Sequence, residues 1–363
     1  MPHQPNATRL TEVRLAGCTT LRLGGSARAF HEARSTQEVV DAVHGAEAAD
    51  EPVLILGGGS NLVVADQGFP GTVVRVATSG TDIRRDPGDG RATVLRVAAG
   101  EDWDALVARC VAEGLAGVEC LAGIPGLVGA TPIQNVGAYG QEVAETVTNV
   151  RAFDRAAGRL VNLGPAACGF GYRTSMFKRR PGRFVVLEVT FRLYPERLSR
   201  PVGYPELASS LGVTPGERAP LAEVRDAVLA LRRRKGMVLD PADPDTHSAG
   251  SFFTNPVLRP AQLAALETAV RRRLGEGAGF PRFPAPDGQV KVPAAWLIEQ
   301  AGFRKGYAAF GARISTKHTL ALTNPGGATT AGLVALAREI RDAVRAVFGV
   351  VLVNEPVLVG VEL

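Results

Sequence analysis

The chain has 363 residues, of which 45% are hydrophobic and 21% are charged, and its formal net charge is +5. This length suggests two or three domains, and the composition is that of a globular protein and excludes intrinsic disorder. Apolar runs fall far short of the roughly 18 residues that span a bilayer, the first residues lack a signal-peptide pattern, and no basic cluster carries a nucleic-acid-binding motif, so we expect a cytoplasmic protein with neither a membrane nor a nucleic-acid partner.

Strand-forming runs and turns alternate along the first half of the chain. The predicted elements are strands within 52–76 and at 93–98, 148–153 and 184–193, and a helix at 101–114. Cys110 falls on the apolar stripe of this helix, so we expect it in the core. Residues 194–220 carry five prolines, which predicts a linker with one short helix.

The second half of the chain is richer in helix. Its predicted elements are helices at 221–235, 260–274 and 329–347, a strand-to-helix element at 289–302 and a strand at 319–324. Helices and strands mix without a clean βαβ repeat, so the predicted fold class is α+β. The four cysteines form no CxxC pair and match no zinc spacing, so we expect reduced thiols and no metal.

A glycine run follows the first predicted buried strand, at Gly57, Gly58 and Gly59, with Ser60 and Asn61 directly after it. Successive glycines let backbone N–H groups approach an anion without obstruction by Cβ atoms, and a diphosphate suits such a loop. The alternative is a glycine-rich hairpin without a ligand. The run does not match GxGxxG at the start of a helix, which argues against a Rossmann site.

A second glycine-rich stretch extends from Gly123 to Gly140 around a Gln-Asn pair. Small residues around two amide side chains suit a flat ring that lies against backbone and is hydrogen-bonded at its edge. The alternative is a long structural loop, although loops of this length are usually functional. Two such stretches in one domain favour a large dinucleotide cofactor.

Three polar residues stand in unusual surroundings. Arg173 lies between an aromatic residue and several hydroxyls, where its guanidinium fits a carboxylate or phosphate, although an arginine in a turn is usually solvated. Ser251 lies between Gly250 and two phenylalanines, outside any GxSxG motif, so its hydroxyl suits proton transfer better than hydrolysis. Glu355 interrupts an apolar run, either at a solvated strand bend or facing a pocket, and the sequence leaves both open.

These motifs together resemble the UDP-N-acetylenolpyruvoylglucosamine reductase family. The resemblance covers nearly the whole chain in order, through TTLRLGG (19–25), ILGGGSNLVV (55–64), GIPGLVGATPIQNVGAYGQEV (123–143), FGYRTSMFK (170–178), AGSFFTNP (249–256), KVPAAWLIEQAGFRKG (291–306) and NEPVLVG (354–360). Any one of these motifs is weak evidence, but seven in register are specific.

The resemblance implies a fold and an activity. The fold is α+β, with a two-lobed FAD-binding domain of the vanillyl-alcohol-oxidase type at 1–200 (lobes 1–77 and 78–200). A smaller α+β substrate-binding domain at 201–350 and a C-terminal strand segment at 351–363 follow. The activity is the NADPH-dependent, FAD-mediated reduction of UDP-N-acetylglucosamine enolpyruvate to UDP-N-acetylmuramate in peptidoglycan precursor synthesis, by a monomer. The alternative is another oxidase or dehydrogenase on the same FAD fold that acts on a different small substrate.

The resemblance also implies roles for single residues. Arg173, Ser251 and Glu355 match the catalytic residues, with Ser251 as the proton donor. The residues expected to bind FAD are Gly57, Gly58, Gly59, Ser60, Asn61, Gly123, Ile124, Pro125, Gly126, Gly129, Ala130, Gln134, Asn135, Gly137, Ala138 and Tyr139. The residues expected to bind substrate are Tyr172, Tyr204, Lys235, Asn255 and His318. His318 departs from the glutamine of similar family members, and the segment between Lys235 and Ser251 is longer than the family pattern.

Overall fold

Contacts within the chain divide it into two units, in a computed structural model that describes residues 9–363. Within the described residues, unit 1 comprises 9–13, 26–59 and 69–238, and unit 2 comprises 14–25, 60–68 and 239–363. Residues 201–238 therefore pack with unit 1, and two short segments of the N-terminal region pack with unit 2. The functional limits at 200 and 350 stay a prediction.

The first sheet of unit 1 has four strands. Their spatial order is Arg9–Arg14, Ser26–Ala33, Phe69–Val76 and Val53–Leu56. The last three pair in parallel, and helix α1 (Thr36–Ala48) connects two of them, with Val39 and Val43 fully buried. A parallel pair requires such a crossover, so this lobe contains a βαβ unit.

The second sheet of unit 1 is antiparallel. Its strands lie in the order Arg159–Leu163, Val147–Asp154, Phe184–Pro195, Thr93–Ala98 and Thr81–Arg85, and Leu115–Ala116 pairs with the long central strand. Val150, Val189 and Val97 are cross-strand neighbours and are all fully buried, which sets the register of the sheet. Helix α2 (Trp103–Ala112) follows the strand Thr93–Ala98 in the chain. The Asp102 side chain caps this helix by accepting a hydrogen bond from Ala105 N at 2.8 Å.

Four further helices complete unit 1, and one of them is the short helix predicted within 194–220. They are α3 (Pro165–Cys168), α4 (Met176–Arg179), α5 (Pro205–Leu211) and α6 (Leu221–Arg234). Residues 194–220 do not form a linker, because Val202, Leu207 and Ala219 are buried in the core of unit 1. The prolines fix turns in a packed segment, and the apolar residues between them provide its contact with the core.

Unit 2 is built around one long amphipathic helix. Its helices are α7 (Pro260–Leu274), α8 (Ala294–Gln300) and α9 (Thr330–Phe348). Leu333, Ala337, Ile340 and Val344 lie at helical spacing on α9 and are fully buried. The strands of unit 2 are Leu62–Val64, Ser248–Ser251, Val257–Leu258, Phe283–Pro284, Val290–Lys291, Ala308–Ala309, Ala312–Ile314, Ala321–Thr323 and Val357–Val359.

Most of the predicted elements are confirmed to within a few residues, including the helices at 221–235, 260–274 and 329–347. The strands before residue 52 and helix α1 were not among the predictions. Cys110 is buried as predicted, and its burial raises the pKa of its thiol to about 12. Among the described residues, no helix is both long and apolar enough to cross a membrane.

Candidate active site

The two glycine-rich stretches touch each other in unit 1. A Cβ atom on Gly58 would lie 2.8 Å from the Cα atom of Gly126, closer than real Cβ atoms come to backbone. A Cβ atom on the neighbouring Gly57 would lie 3.8 Å from the Leu127 side chain, an ordinary van der Waals distance. Glycine at position 58 is therefore required by a close approach of two main-chain segments.

Main-chain hydrogen bonds hold the second stretch against the start of α2. Gly126 O accepts from Trp103 N at 3.1 Å, and Gly129 N donates to Ala99 O at 2.8 Å. A Cβ atom on Gly129 would lie 2.5 Å from the Ala99 Cβ atom, so this contact also requires glycine. The stretch that includes Ile124, Pro125 and Ala130 is thus a fixed surface with many backbone groups and few side chains.

Asn135 organises the end of this stretch. Its side-chain amide donates to Glu142 Oε2 at 2.6 Å and to Gly171 O at 3.1 Å, and its Oδ1 accepts from Ala144 N at 3.1 Å. The residue is 1% exposed. Asn135 therefore joins the hairpin of Gly137–Ala138 and Gln141–Glu142 to the segment that precedes Arg173. The hydrogen bonds of its side chain lie within unit 1, and its role at the cofactor stays a prediction.

Arg173 lies against the same hairpin. Its guanidinium donates to Gly137 O at 2.6 Å and stands 5.5 Å from the centre of the Tyr172 ring. Its backbone has φ +51°, in the left-handed region that few non-glycine residues adopt, and Asn135 and Tyr139 share this feature. Such strain concentrates at functional sites. The structure thus brings the predicted catalytic arginine to the second glycine-rich stretch, within one unit.

A groove of about 590 Å³ opens on unit 1. The residues that line it are mostly hydroxyls and arginines: Arg34, Ser35, Thr36, Thr78, Ser79, Gly80, Thr81, Asp82, Arg96, Ala98, Arg151, Leu187 and Glu188. Gly80 N donates to Glu101 Oε1 at 2.6 Å, and Glu101 O accepts from Val128 N, which links the groove to the second stretch. The sequence analysis missed these residues, although the Thr-Ser-Gly-Thr run at 78–81 was a signal.

Two of the predicted substrate residues cluster around Tyr139. The Tyr204 ring meets the Tyr139 ring edge-on at 5.3 Å, and Lys235 Nζ lies 5.9 Å from the centre of the Tyr139 ring. Burial raises the pKa of Tyr139 to about 12, so its hydroxyl keeps its proton at neutral pH. Lys235 Nζ also lies 2.6 Å from Glu206 Oε2, a partner that the sequence analysis did not identify.

Ser251 and Glu355 occupy neighbouring segments of unit 2. Phe252 N donates to Leu320 O at 2.7 Å, and Phe252 O accepts from Glu355 N at 2.8 Å. Val357 N donates to Asn61 O at 2.9 Å, so the Glu355 segment also adjoins the end of the first glycine-rich stretch. Glu355 is half-buried at this bend, in a main chain fixed on both sides.

The remaining predicted substrate residues also lie in unit 2, each in a fixed turn. Asn255 Oδ1 accepts from Ala294 N at 2.9 Å, at the first residue of α8. His318 N donates to Ser315 Oγ at 3.3 Å, and its carbonyl accepts from Ala321 N at 3.1 Å. Lys317, beside it, pairs with Asp243.

Asp245 is a buried carboxylate that the sequence analysis missed. Burial acts to raise the pKa of this carboxyl, but hydrogen bonds from the side chain and backbone of Thr316 and the charge of Arg313 hold it below the usual value. Arg313 donates to Asp245 Oδ1 at 3.1 Å. Asp245 therefore connects the long segment before Ser251 to the loop that carries His318.

The residues present fit an FAD group. Its diphosphate needs backbone donors that Cβ atoms do not shield, and the contact of Gly58 with Gly126 provides two main-chain segments of that kind. The groove has a volume in the range of small-molecule and cofactor sites, and its hydroxyls and arginines suit a nucleotide. Within unit 1, the donor set therefore matches the chemistry of a dinucleotide.

Comparisons with known proteins point the same way. A family model described as "FAD binding domain" matches residues 27–164, and one described as "UDP-N-acetylenolpyruvoylglucosamine reductase, C-terminal domain" matches 241–359. The chain is 58% identical over 351 residues to the UDP-N-acetylenolpyruvoylglucosamine reductase of Thermobifida fusca (strain YX), covering 97% of this chain and 98% of that protein. It is 55% identical to the protein of the same name from Streptomyces avermitilis, covering all of both chains.

A solved structure resembles the whole chain. The crystal structure of UDP-N-acetylenolpyruvylglucosamine reductase (MurB) from Thermus caldophilus aligns with a TM-score of 0.64 at 25% identity, covering 97% of this chain and 98% of that one. The likeness therefore extends over both units.

Proposed function

The chain belongs to the UDP-N-acetylenolpyruvoylglucosamine reductase family, and we propose that Arg173, Ser251 and Glu355 perform its chemistry. It is an FAD-dependent oxidoreductase of the α+β class with a vanillyl-alcohol-oxidase-type FAD-binding domain. With NADPH as hydride donor it reduces UDP-N-acetylglucosamine enolpyruvate to UDP-N-acetylmuramate, a step of peptidoglycan precursor synthesis and hence of cell-wall formation. An oxidase with a different small substrate is not favoured, because the match includes the reductase C-terminal domain.

FAD, when bound, supplies the redox step by accepting hydride from NADPH and delivering it to the enolpyruvyl group. The proposal assigns its diphosphate to the backbone of Gly57 to Asn61. It assigns the flavin ring and the adjoining cofactor atoms to the stretch from Gly123 to Tyr139. The contact of Gly58 with Gly126 is the observation that carries this assignment, because it joins both stretches in unit 1.

Arg173 is proposed to stabilise negative charge on the substrate carboxylate. Hydride addition to the terminal carbon of the enol ether builds charge toward the carboxylate as an enolate, and a guanidinium offers paired donors to it. Its hydrogen bond to Gly137 O fixes the position of the group before substrate arrives, which is the condition for electrostatic stabilisation without reorganisation.

Ser251 is proposed to protonate the other carbon of the former double bond as the general acid. Its strand pairs with Ala321, and the neighbouring Phe252 is held from two sides, so its position is determined by backbone. Glu355 adjoins this strand through Phe252, which favours a role in sharing or orienting a proton. A carboxylate that only repelled the substrate carboxylate would work against the reaction.

The substrate residues of the proposal are Tyr172, Tyr204, Lys235, Asn255 and His318. Lys235 is assigned to the substrate diphosphate, since an ammonium is a compact donor for phosphate oxygens. The proposal also includes a cytoplasmic monomer whose only partners are the sugar nucleotide and NADPH, without nucleic acid or membrane. NADPH and sugar nucleotide are proposed to bind in turn, which predicts ping-pong kinetics.

The experiment that tests the function uses the purified chain saturated with FAD. The protein should be yellow, NADPH alone should bleach it, and UDP-N-acetylglucosamine enolpyruvate should then yield UDP-N-acetylmuramate by mass spectrometry. A protein that takes up no FAD, or that consumes NADPH without forming this product, would overturn the proposal.

A further inference from the structure

Lys235 already has an anionic partner within unit 1. Its Nζ atom lies 2.6 Å from Glu206 Oε2, and the two side chains are 33% and 40% exposed. Lys235 stands at the C-terminal end of α6, and Glu206 in the first turn of α5. The ammonium assigned to the substrate diphosphate is thus neutralised by a carboxylate of the same chain.

The surroundings of this ion pair are aromatic and cationic. Lys235 Nζ lies over the Tyr139 ring at 5.9 Å, and Tyr204, which directly precedes α5, packs edge-on against that ring. Arg232, one turn earlier on α6, donates to Met237 O at 2.8 Å, and its buried Nε atom has no hydrogen-bond partner among the described residues. The Glu206–Lys235 ion pair therefore lies close to a second cationic residue of α6, Arg232.

An ion pair of this exposure is easily exchanged. Solvent screens partly exposed pairs, so each contributes little to stability and is broken at little cost. A diphosphate carries two negative charges and more acceptor oxygens than one carboxylate. A diphosphate bound at Lys235 would displace Glu206, which would then remain nearby as a like charge that disfavours the bound anion.

We propose that Glu206 determines the affinity of the enzyme for its sugar nucleotide by competing with the diphosphate for Lys235. This inference rests on the proposed function, which assigns Lys235 to that diphosphate. The Glu206 carboxylate is hydrogen-bonded to the Lys235 ammonium, so the inferred effect is on binding of the diphosphate. The carboxylate keeps the affinity moderate, which favours release of the product, since the product carries the same diphosphate.

The test is calorimetric titration of FAD-loaded enzyme with UDP-N-acetylglucosamine, a non-reacting ligand that carries the diphosphate. Glu206→Gln should lower Kd about two- to fivefold, which corresponds to a gain in binding free energy of about 0.4–1 kcal/mol at 1.4 kcal/mol per tenfold change in Kd. Lys235→Gln should raise Kd. Adding Glu206→Gln to Lys235→Gln should then change Kd less than 1.5-fold. The gain in affinity caused by Glu206→Gln should be smaller at high salt, because salt screens the attraction between the Lys235 ammonium and the diphosphate.

A matched control is Glu223→Gln, which removes the same charge from an exposed position at the other end of α6, about 18 Å from Lys235 at roughly 1.5 Å per residue. Its Kd should equal that of the unaltered enzyme. The inference is overturned if the Glu206→Gln variant has an unchanged or higher Kd. It is also overturned if Glu223→Gln lowers Kd by the same factor as Glu206→Gln. Failure of the proposed function is distinguishable, because the unaltered enzyme would then neither bind the nucleotide nor form UDP-N-acetylmuramate.

Discussion

Glu355 donates its backbone N–H to the carbonyl oxygen of Phe252 at 2.8 Å. Phe252 directly follows Ser251, so this bond ties the C-terminal segment to the strand of the proposed proton donor, over a sequence separation of about a hundred residues. The two motifs AGSFFTNP and NEPVLVG are therefore neighbours in unit 2. Two motifs that are far apart in the sequence are thus in direct contact in the fold.

Ser251→Ala removes the proposed proton donor without altering its strand. The variant should be reduced by NADPH at the normal rate but lose at least about 100-fold in turnover of the enol ether, the usual contribution of a general acid. Ser210→Ala, on the exposed side of α5, is the control and should be fully active. Turnover of Ser251→Ala within a few-fold of normal would exclude Ser251 as the acid.

Arg173→Lys keeps the positive charge but loses the paired donors of the guanidinium. We expect kcat to fall about 10²- to 10³-fold, the loss typical of one oxyanion-stabilising donor. The measurement is steady-state NADPH oxidation with saturating enol ether, with the exposed Arg180→Lys as the control. A kcat within threefold of normal would show that Arg173 does not stabilise the developing charge.

Gly58→Ala places a Cβ atom 2.8 Å from the Gly126 Cα atom, and the Gly126 carbonyl is held by a hydrogen bond from Trp103 N. The variant should bind FAD at least about tenfold more weakly and lose about 1–3 kcal/mol of stability, as overpacked sites do. Gly45→Ala, a helix position where an added Cβ meets none of the described residues within 4 Å, is the control and should be stabilising or neutral. FAD affinity is read from flavin fluorescence. Equal affinity in both variants would contradict the assignment of this contact to the cofactor.

Asp245→Asn tests the buried carboxylate of unit 2. Its pKa in the folded protein is lowered, so it contributes stability above the unfolded value near 3.9 and this contribution is lost as pH falls through the folded pKa. Asp245→Asn should therefore cost about 1–3 kcal/mol at pH 7 and progressively less below about pH 4. Urea unfolding at both pH values measures this, with the exposed Asp342→Asn as control. A cost that does not depend on pH would refute the electrostatic explanation.

Helical periodicity and β-branched runs predicted most elements, because these patterns report which face of a segment is buried. Residues 194–220 were misread as a linker, since prolines dominate the local pattern while the burial of Val202 and Leu207 depends on distant partners. Helix α1 was missed although Ser35 and Glu38 provide a capping signal.

The site shows the same limit. The glycine-rich stretches and Arg173 were found from local composition, and the structure brings them together. The partners of other predicted site residues were not found from the sequence. Glu206 pairs with Lys235 and Glu142 pairs with Asn135 only in the folded chain. Likewise, the donors to the Asp245 carboxylate, which lies in the segment longer than the family pattern, are about 70 positions away in the sequence.

The central claim is that this chain reduces the enolpyruvyl group through its flavin. Stopped-flow mixing of enzyme reduced beforehand by NADPH with UDP-N-acetylglucosamine enolpyruvate, without oxygen, measures that step directly. We predict rapid return of the oxidised flavin absorbance, with one UDP-N-acetylmuramate formed per flavin. A flavin that stays reduced, or that reoxidises without forming this product, would contradict the account.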